Sequence, residues 1–185
     1  MVGKRPRDFL AGHYVQFLRI DGTELTDPAK DEKELDGPIV ELLRVLEEVL
    51  RAHIAVAVDY ASASLEIKTP DYPVRALEQI VRNAIMHRTY ESSHAPVRIL
   101  WFSDRIEVHN PGGPYGQVTV EHFGEPGRTD YRNPHLSACL KSLGYVQKFG
   151  VGIQLAREEL EKNGNLPLEF QVYPAHICAV LRRRT

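Results

Sequence analysis

The stretch Thr69-Pro70-Asp71-Tyr72-Pro73 constrains the chain more than any other. Its two prolines stop regular structure and restrict the residues before them. Everything after it comes in blocks. Over residues 74–87, Leu77, Ile80, Val81, Ala84 and Ile85 recur at helical spacing. VRILWF (97–102) and RIEVHN (105–110) read as strands joined by Ser103-Asp104 in a tight hairpin. PGGPYG (111–116) is a glycine-rich turn, followed by an irregular stretch to about Arg132. Helices are predicted over 134–143, with Gly144 in the place of a C-cap glycine, and over 152–162. LEFQVY and ICAVLRR close the chain as two strands around Pro174-Ala175. Helices and strands that do not alternate predict an α+β fold, a two-layer α/β sandwich with helices on one face of a mostly antiparallel sheet.

Before the proline pair, YVQFLRI (14–20) alternates and reads as a strand. Residues 21–37 are polar, with two glycines and one proline, and read as a loop. Asp36 is placed to cap a helix over residues 37–53, with Pro38 in its first turn. Ile39, Leu42, Leu43, Leu46, Val49 and Leu50 give that helix one apolar face. SLEIK (64–68) is a further short strand.

A length of 185 residues, 43% hydrophobic and 26% charged, suits one globular domain or one domain with a piece of another. Charges interrupt every apolar run, so no membrane-spanning helix is expected, and the first residues lack the apolar core of a secretion signal. Two distant cysteines, Cys139 and Cys178, suit a reducing cytoplasm and build no thiol or zinc motif. The eight histidines show neither HxH nor HExxH spacing, which speaks against a metal site. G-x-S-x-G and GxxxxGK[ST] are both missing, which removes the serine hydrolase and P-loop readings. A net charge of -2 does not advertise nucleic-acid binding; Lys4-Arg5-Arg7 and Arg182-Arg183-Arg184 read as solvated ends or as a local nucleic-acid contact.

Three motifs carry candidate chemistry. Gln79, Asn83 and His87 stand at i, i+4 and i+8, an uncharged polar row opposite the apolar face of their helix. Such a row serves a ligand, or a helix edge that bonds neighbouring loops. Asn110-Pro111-Gly112-Gly113 is a backbone approach point or a plain turn. Gly150-Val151-Gly152 opens a helix, so it is an anion cradle or an interhelix turn.

Read together and in order, NAIMHRTY, DRIEVHNPGG, RNPHL and GVGI resemble the GHKL-type ATPase-like domain of the RecG-related C-terminal family. In bacterial members this domain follows a Schlafen AlbA-type domain in transcriptional regulators. The resemblance covers most of residues 72–183, and implies a GHKL (Bergerat-like) domain over 71–185 behind an N-terminal α/β fragment over 1–70. That fragment looks like the tail of the AlbA-type region, whose front half is missing. The resemblance implies that ATP and Mg2+ are bound between a helix and glycine-rich loops beneath a mobile lid over residues 123–133. Asn83 matches the asparagine that coordinates Mg2+, with His87 on the same row. Asn110 stands where related proteins have the aspartate that accepts from the adenine amino group; an amide accepts without the charge, so the bond is weaker. Gly112 would let the backbone approach the base, and Gly150 and Gly152 match the glycines beside the phosphates.

One departure bears on turnover. The general-base glutamate of hydrolysing relatives falls at Gln79, and an amide takes no proton from water. Glu78 is adjacent, but one residue turns a helical side chain by about 100°; it is expected to pair with Arg75 and Arg82. The resemblance therefore implies a nucleotide-binding regulatory module of slow or absent hydrolysis that acts on a partner or in a homodimer, with DNA contacted through the full-length protein. Rival readings are a dimerisation domain that no longer binds nucleotide, a direct nucleic-acid binder, and an ATPase that uses Glu78.

Overall fold

The computed structural model describes residues 3–59, 67–91, 93–125, 127–146 and 150–184. After a single 3-10 turn, Pro6–Asp8, come β1 (Tyr14–Ile20), β2 (Ala29–Asp36), α1 (Ile39–His53), β3 (Val56–Asp59) and β4 (Ile67–Pro70). Then follow α2 (Val74–His87), β5 (Val97–Trp101), β6 (Arg105–Pro111), α3 (Pro134–Ser142), α4 (Gly152–Lys162), β7 (Glu169–Tyr173) and β8 (His176–Arg182). Six strands form one open sheet in the order β2-β1-β5-β6-β8-β7, and β3 and β4 form a separate ribbon. The sheet is antiparallel except where β1 runs parallel to β5, from Val15↔Val97 to Arg19↔Trp101. The fold is thus α+β, an α/β sandwich on a mostly antiparallel sheet. Strands from both sides of residue 70 share that sheet.

Alternation decides which face of each strand is covered. β6 buries Ile106, Val108 and Asn110 and leaves Glu107 and His109 half-buried on the other side. On the covered face, Phe17, Trp101, Val97 and Ile99 join Leu43 and Leu46 of α1 and Leu77 and Val81 of α2 in one core. Trp101 meets Tyr72 and Phe17 edge-on, at ring separations of 5.6 and 6.4 Å.

Two local readings need correction. Residues 29–36 are not loop but strand β2, which pairs with β1 from Tyr14↔Asp36 to Ile20↔Ala29. Ala-Lys-Asp-Glu-Lys-Glu-Leu-Asp has no apolar alternation to announce a strand, yet charges suit an edge strand, which must not recruit another chain. Asp36 consequently ends β2 and caps nothing; α1 starts behind Pro38, with no side-chain cap. Of the SLEIK strand, residues 64–66 lie outside the described residues, while Ile67–Pro70 pair with the unforeseen β3.

The proline-flanked boundary is pinned on both sides. The Asp71 carboxylate accepts from the N–H groups of Ala55 and Tyr72, both at 3.0 Å. From the α4–β7 loop, Asn163 donates to the Pro70 carbonyl at 2.9 Å and Asn165 to that of Asp71 at 2.8 Å. No described helix is long and apolar enough to cross a membrane.

Candidate functional site

The three motifs meet at one cavity of about 160 Å³ between α2, the sheet and the start of α4. α2 contributes Gln79, Asn83 and His87; the end of β6 contributes Asn110, with Gly113 just beyond; the start of α4 contributes Gly150 and Gly152. Gly112 stands one step back. A Cβ there would lie 2.3 Å from the Thr89 hydroxyl, and its φ of +109° excludes most side chains. Its N–H donates to Ala175 at 2.9 Å, which ties the turn to the β7–β8 hairpin.

Asn110 is 95% withdrawn from solvent, with 5% of its surface exposed, and its Oδ1 has no partner among the described residues. An unpaired buried acceptor costs about 1–3 kcal/mol, so a donor arriving at this wall would recover that loss. On the same cavity, α4 opens with first-turn N–H groups that have no partner within the helix and carry the positive end of its dipole. A Cβ at Gly152 would approach the Gln79 Oε1 to 3.0 Å, so the absent side chain is what lets the two elements close on each other.

Glu78 does not line the cavity. It is buried on the neighbouring face of α2, where it pairs with Arg51 of α1 and, at 3.5 Å, with Arg82. The expected Arg82 partner is present, and Arg51 takes the role expected of Arg75. Arg82 also meets Glu47 at 2.6 Å, which locks α2 to α1.

Residues 123–125 and 127–131 line one side of the cavity. Phe123 packs edge-on against Phe170 of β7 with ring centres 5.0 Å apart. The Gly124 carbonyl accepts from Gln154 at 3.1 Å and Arg157 at 3.0 Å, both on α4. Asn133 donates to the carbonyls of Met86 and Arg88, at 2.9 and 2.8 Å, and so fastens the far end to the C-terminus of α2. Sequence reasoning missed Phe170 as a cavity wall, whereas Tyr131 lies in the stretch expected to cover the site. The alternation of β7, which turns Phe170 and Val172 to one side, was the signal for that wall.

Tyr131 stacks on His87 at 5.8 Å and an interplanar angle of 17°. Burial, then the charges of Arg132 and Lys141, push the His87 pKa down to about 4 from an ordinary 6.5, against the pull of Asp130. His87 is therefore neutral in the folded protein. As pH falls below 6.5 the unfolded chain takes up a proton that the folded chain refuses until about 4. Stability is expected to drop across that window by about 3 kcal/mol and to ignore this group above about pH 7. Urea midpoints against pH check this: His87→Gln should flatten the slope, and an unchanged slope would refute it.

The basic ends are partly spent on carboxylates. Arg5 pairs with Asp8 at 3.2 Å, Arg7 with Asp36 at 3.6 Å and Arg182 with Glu169 at 3.2 Å.

Comparison with known proteins places these walls in context. No curated protein matches the chain. Among solved structures it is similar to the DIP2311 protein from Corynebacterium diphtheriae, with 19% identity and a TM-score of 0.79. The likeness covers 95% of this chain and 36% of that one, and at this identity it is a likeness of fold. Residues 94–181 match the family model described as "Putative ATP-dependent DNA helicase recG C-terminal", an HATPase type. The matched stretch runs from just before β5 to the end of β8 and holds Asn110, Gly150 and Gly152 of the cavity wall.

Proposed function

We propose that the cavity binds ATP with Mg2+ and that binding, not turnover, is its output. The unpartnered Oδ1 of Asn110 carries this reading: a buried acceptor on the wall of an HATPase-type cavity suits the exocyclic amine of a purine. The N-terminus of α4, bare at Gly150 and Gly152, suits phosphate oxygens. The Asn83 amide offers a hard neutral oxygen to Mg2+, which when bound offsets the charge of the phosphates. Gln79 stands beside Gly152 and has no basicity, so water near it keeps its proton. Residues 123–125 and 127–131 would then report occupancy, because they line a cavity of about 160 Å³, about half of the roughly 300 Å³ at which ligand pockets begin. Nucleotide would shift that segment and with it what a second copy or a regulatory partner can touch.

Calorimetry with Mg-ATP tests this. The wild type should bind with a dissociation constant of roughly 100 μM or better, and Asn83→Ala should weaken binding at least tenfold. Alanine preserves the helix, so a folding defect would not mimic the loss. Absence of heat from the wild type would overturn the reading. It would favour the rival, an interaction module that keeps the sandwich and has closed the cavity, a rival to which the narrowness of the space also lends support.

A further inference from the structure

The face of the sheet turned away from the cavity carries a second cluster. Val108 and Asn110 of β6 and Ile177 and Ala179 of β8 border the cavity. Glu107, His109 and Cys178 alternate with them and so stand on the opposite face. His109 and Cys178 are direct cross-strand partners. One potential ligand atom from each of Glu107, His109 and Cys178 lies within 4.8 Å of the other two. The Cys178 Sγ is 3.8 Å from the His109 Nε2, and a Glu107 carboxylate oxygen is 2.9 Å from the same nitrogen.

We propose that Glu107, His109 and Cys178 form a binding site for a borderline-soft divalent transition-metal ion of the Zn2+ class. Sulfur, imidazole and carboxylate are the three donor types that Zn2+ takes. Bonds of about 2.0–2.3 Å put tetrahedral ligands about 3.3–3.8 Å apart. The sulfur–nitrogen separation already meets that, and the carboxylate needs to retreat by about half an ångström.

The surroundings orient the donors. Arg105 donates to the other Glu107 oxygen at 2.6 Å, so one carboxylate oxygen stays directed at His109. The second ring nitrogen of His109, Nδ1, lies 3.1 Å from Nε2 of His176. A proton placed on Nδ1 and donated to His176 leaves the Nε2 lone pair for a metal, with His176 in the outer place that a carboxylate, carbonyl or water takes around most ligating histidines. His109 and His176 also line a shallow groove with Arg98 and Pro111, which opens the cluster to solvent beside an otherwise buried thiol. On binding, the thiol proton leaves to solvent and the sulfur becomes thiolate; nothing is oxidised or reduced. Histidine spacing gives no hint of this cluster, because the pairing of β6 with β8 assembles it.

Titrating the metal-free 185-residue protein with Co2+, in the absence of nucleotide, tests the site. One equivalent should bind with a thiolate-to-cobalt absorption band, and Zn2+ should abolish that band. Cys178→Ser should remove the band, whereas Cys139→Ser should leave it. His109→Gln, which keeps the cysteine, should weaken Zn2+ at least tenfold, and His176→Ala should weaken it roughly 10- to 100-fold. A wild type with no thiolate band at millimolar Co2+, a band that follows Cys139, or unchanged Zn2+ affinity in His109→Gln would each overturn the proposal.

Discussion

Gln79→Glu is expected to raise phosphate release from Mg-ATP by roughly 10²- to 10⁴-fold over the wild type, the span that a positioned general base contributes. Gln79 lines the cavity on the same row as Asn83 and faces the opening of α4, where the proposed phosphates would lie. Glutamate has the same shape as glutamine, so the replacement changes basicity and charge with little change in packing. Glu78 makes no comparable claim, since it points into the ion pairs with Arg51 and Arg82. A phosphate-release assay on the two proteins, with calorimetry to confirm that both bind nucleotide, separates rate from affinity. Equal rates in proteins that both bind would show that position 79 does not face the attacking water.

The second large effect is structural. Gly113→Ala is expected to cost more than about 4 kcal/mol, a loss rare for a single substitution. A Cβ at 113 would sit 2.1 Å from the Pro174 carbonyl oxygen and 2.6 Å from that of Tyr173. Both are backbone atoms of the β7–β8 hairpin, so no side-chain rotation relieves the overlap. Either the hairpin lifts from the sheet end or the turn after β6 moves, and with it the wall that carries Asn110. Chemical denaturation would measure the loss, and a change below about 1 kcal/mol would mean that the turn moves freely.

Helix α2 and the β5–β6 hairpin were legible because each repeats its apolar residues at one clean period, 3.6 or 2. β2 was not, because its partner β1 makes it a strand and its own residues do not. The parallel union of β1 with β5 had no local signal at all; it is a property of where two distant segments fit one core. At the site the same division holds. Asn83, Asn110, Gly150 and Gly152 stood out as residue types in order, whereas Phe123 and Phe170 became a wall through one long-range contact. The Glu107, His109 and Cys178 cluster is the extreme case, since its members stand out only as neighbours across two strands.

The parallel pairing of Val15 with Val97 has a consequence for synthesis. The β1–β2 ribbon leaves the ribosome long before β5 exists, so its inner margin waits without a partner. Contacts so distant in sequence close slowly. The acids and lysines of β2 screen the other margin of the ribbon during that wait. One face of the nascent hairpin is thereby kept from sticking to its neighbours while the other is held in reserve for the strand still to come.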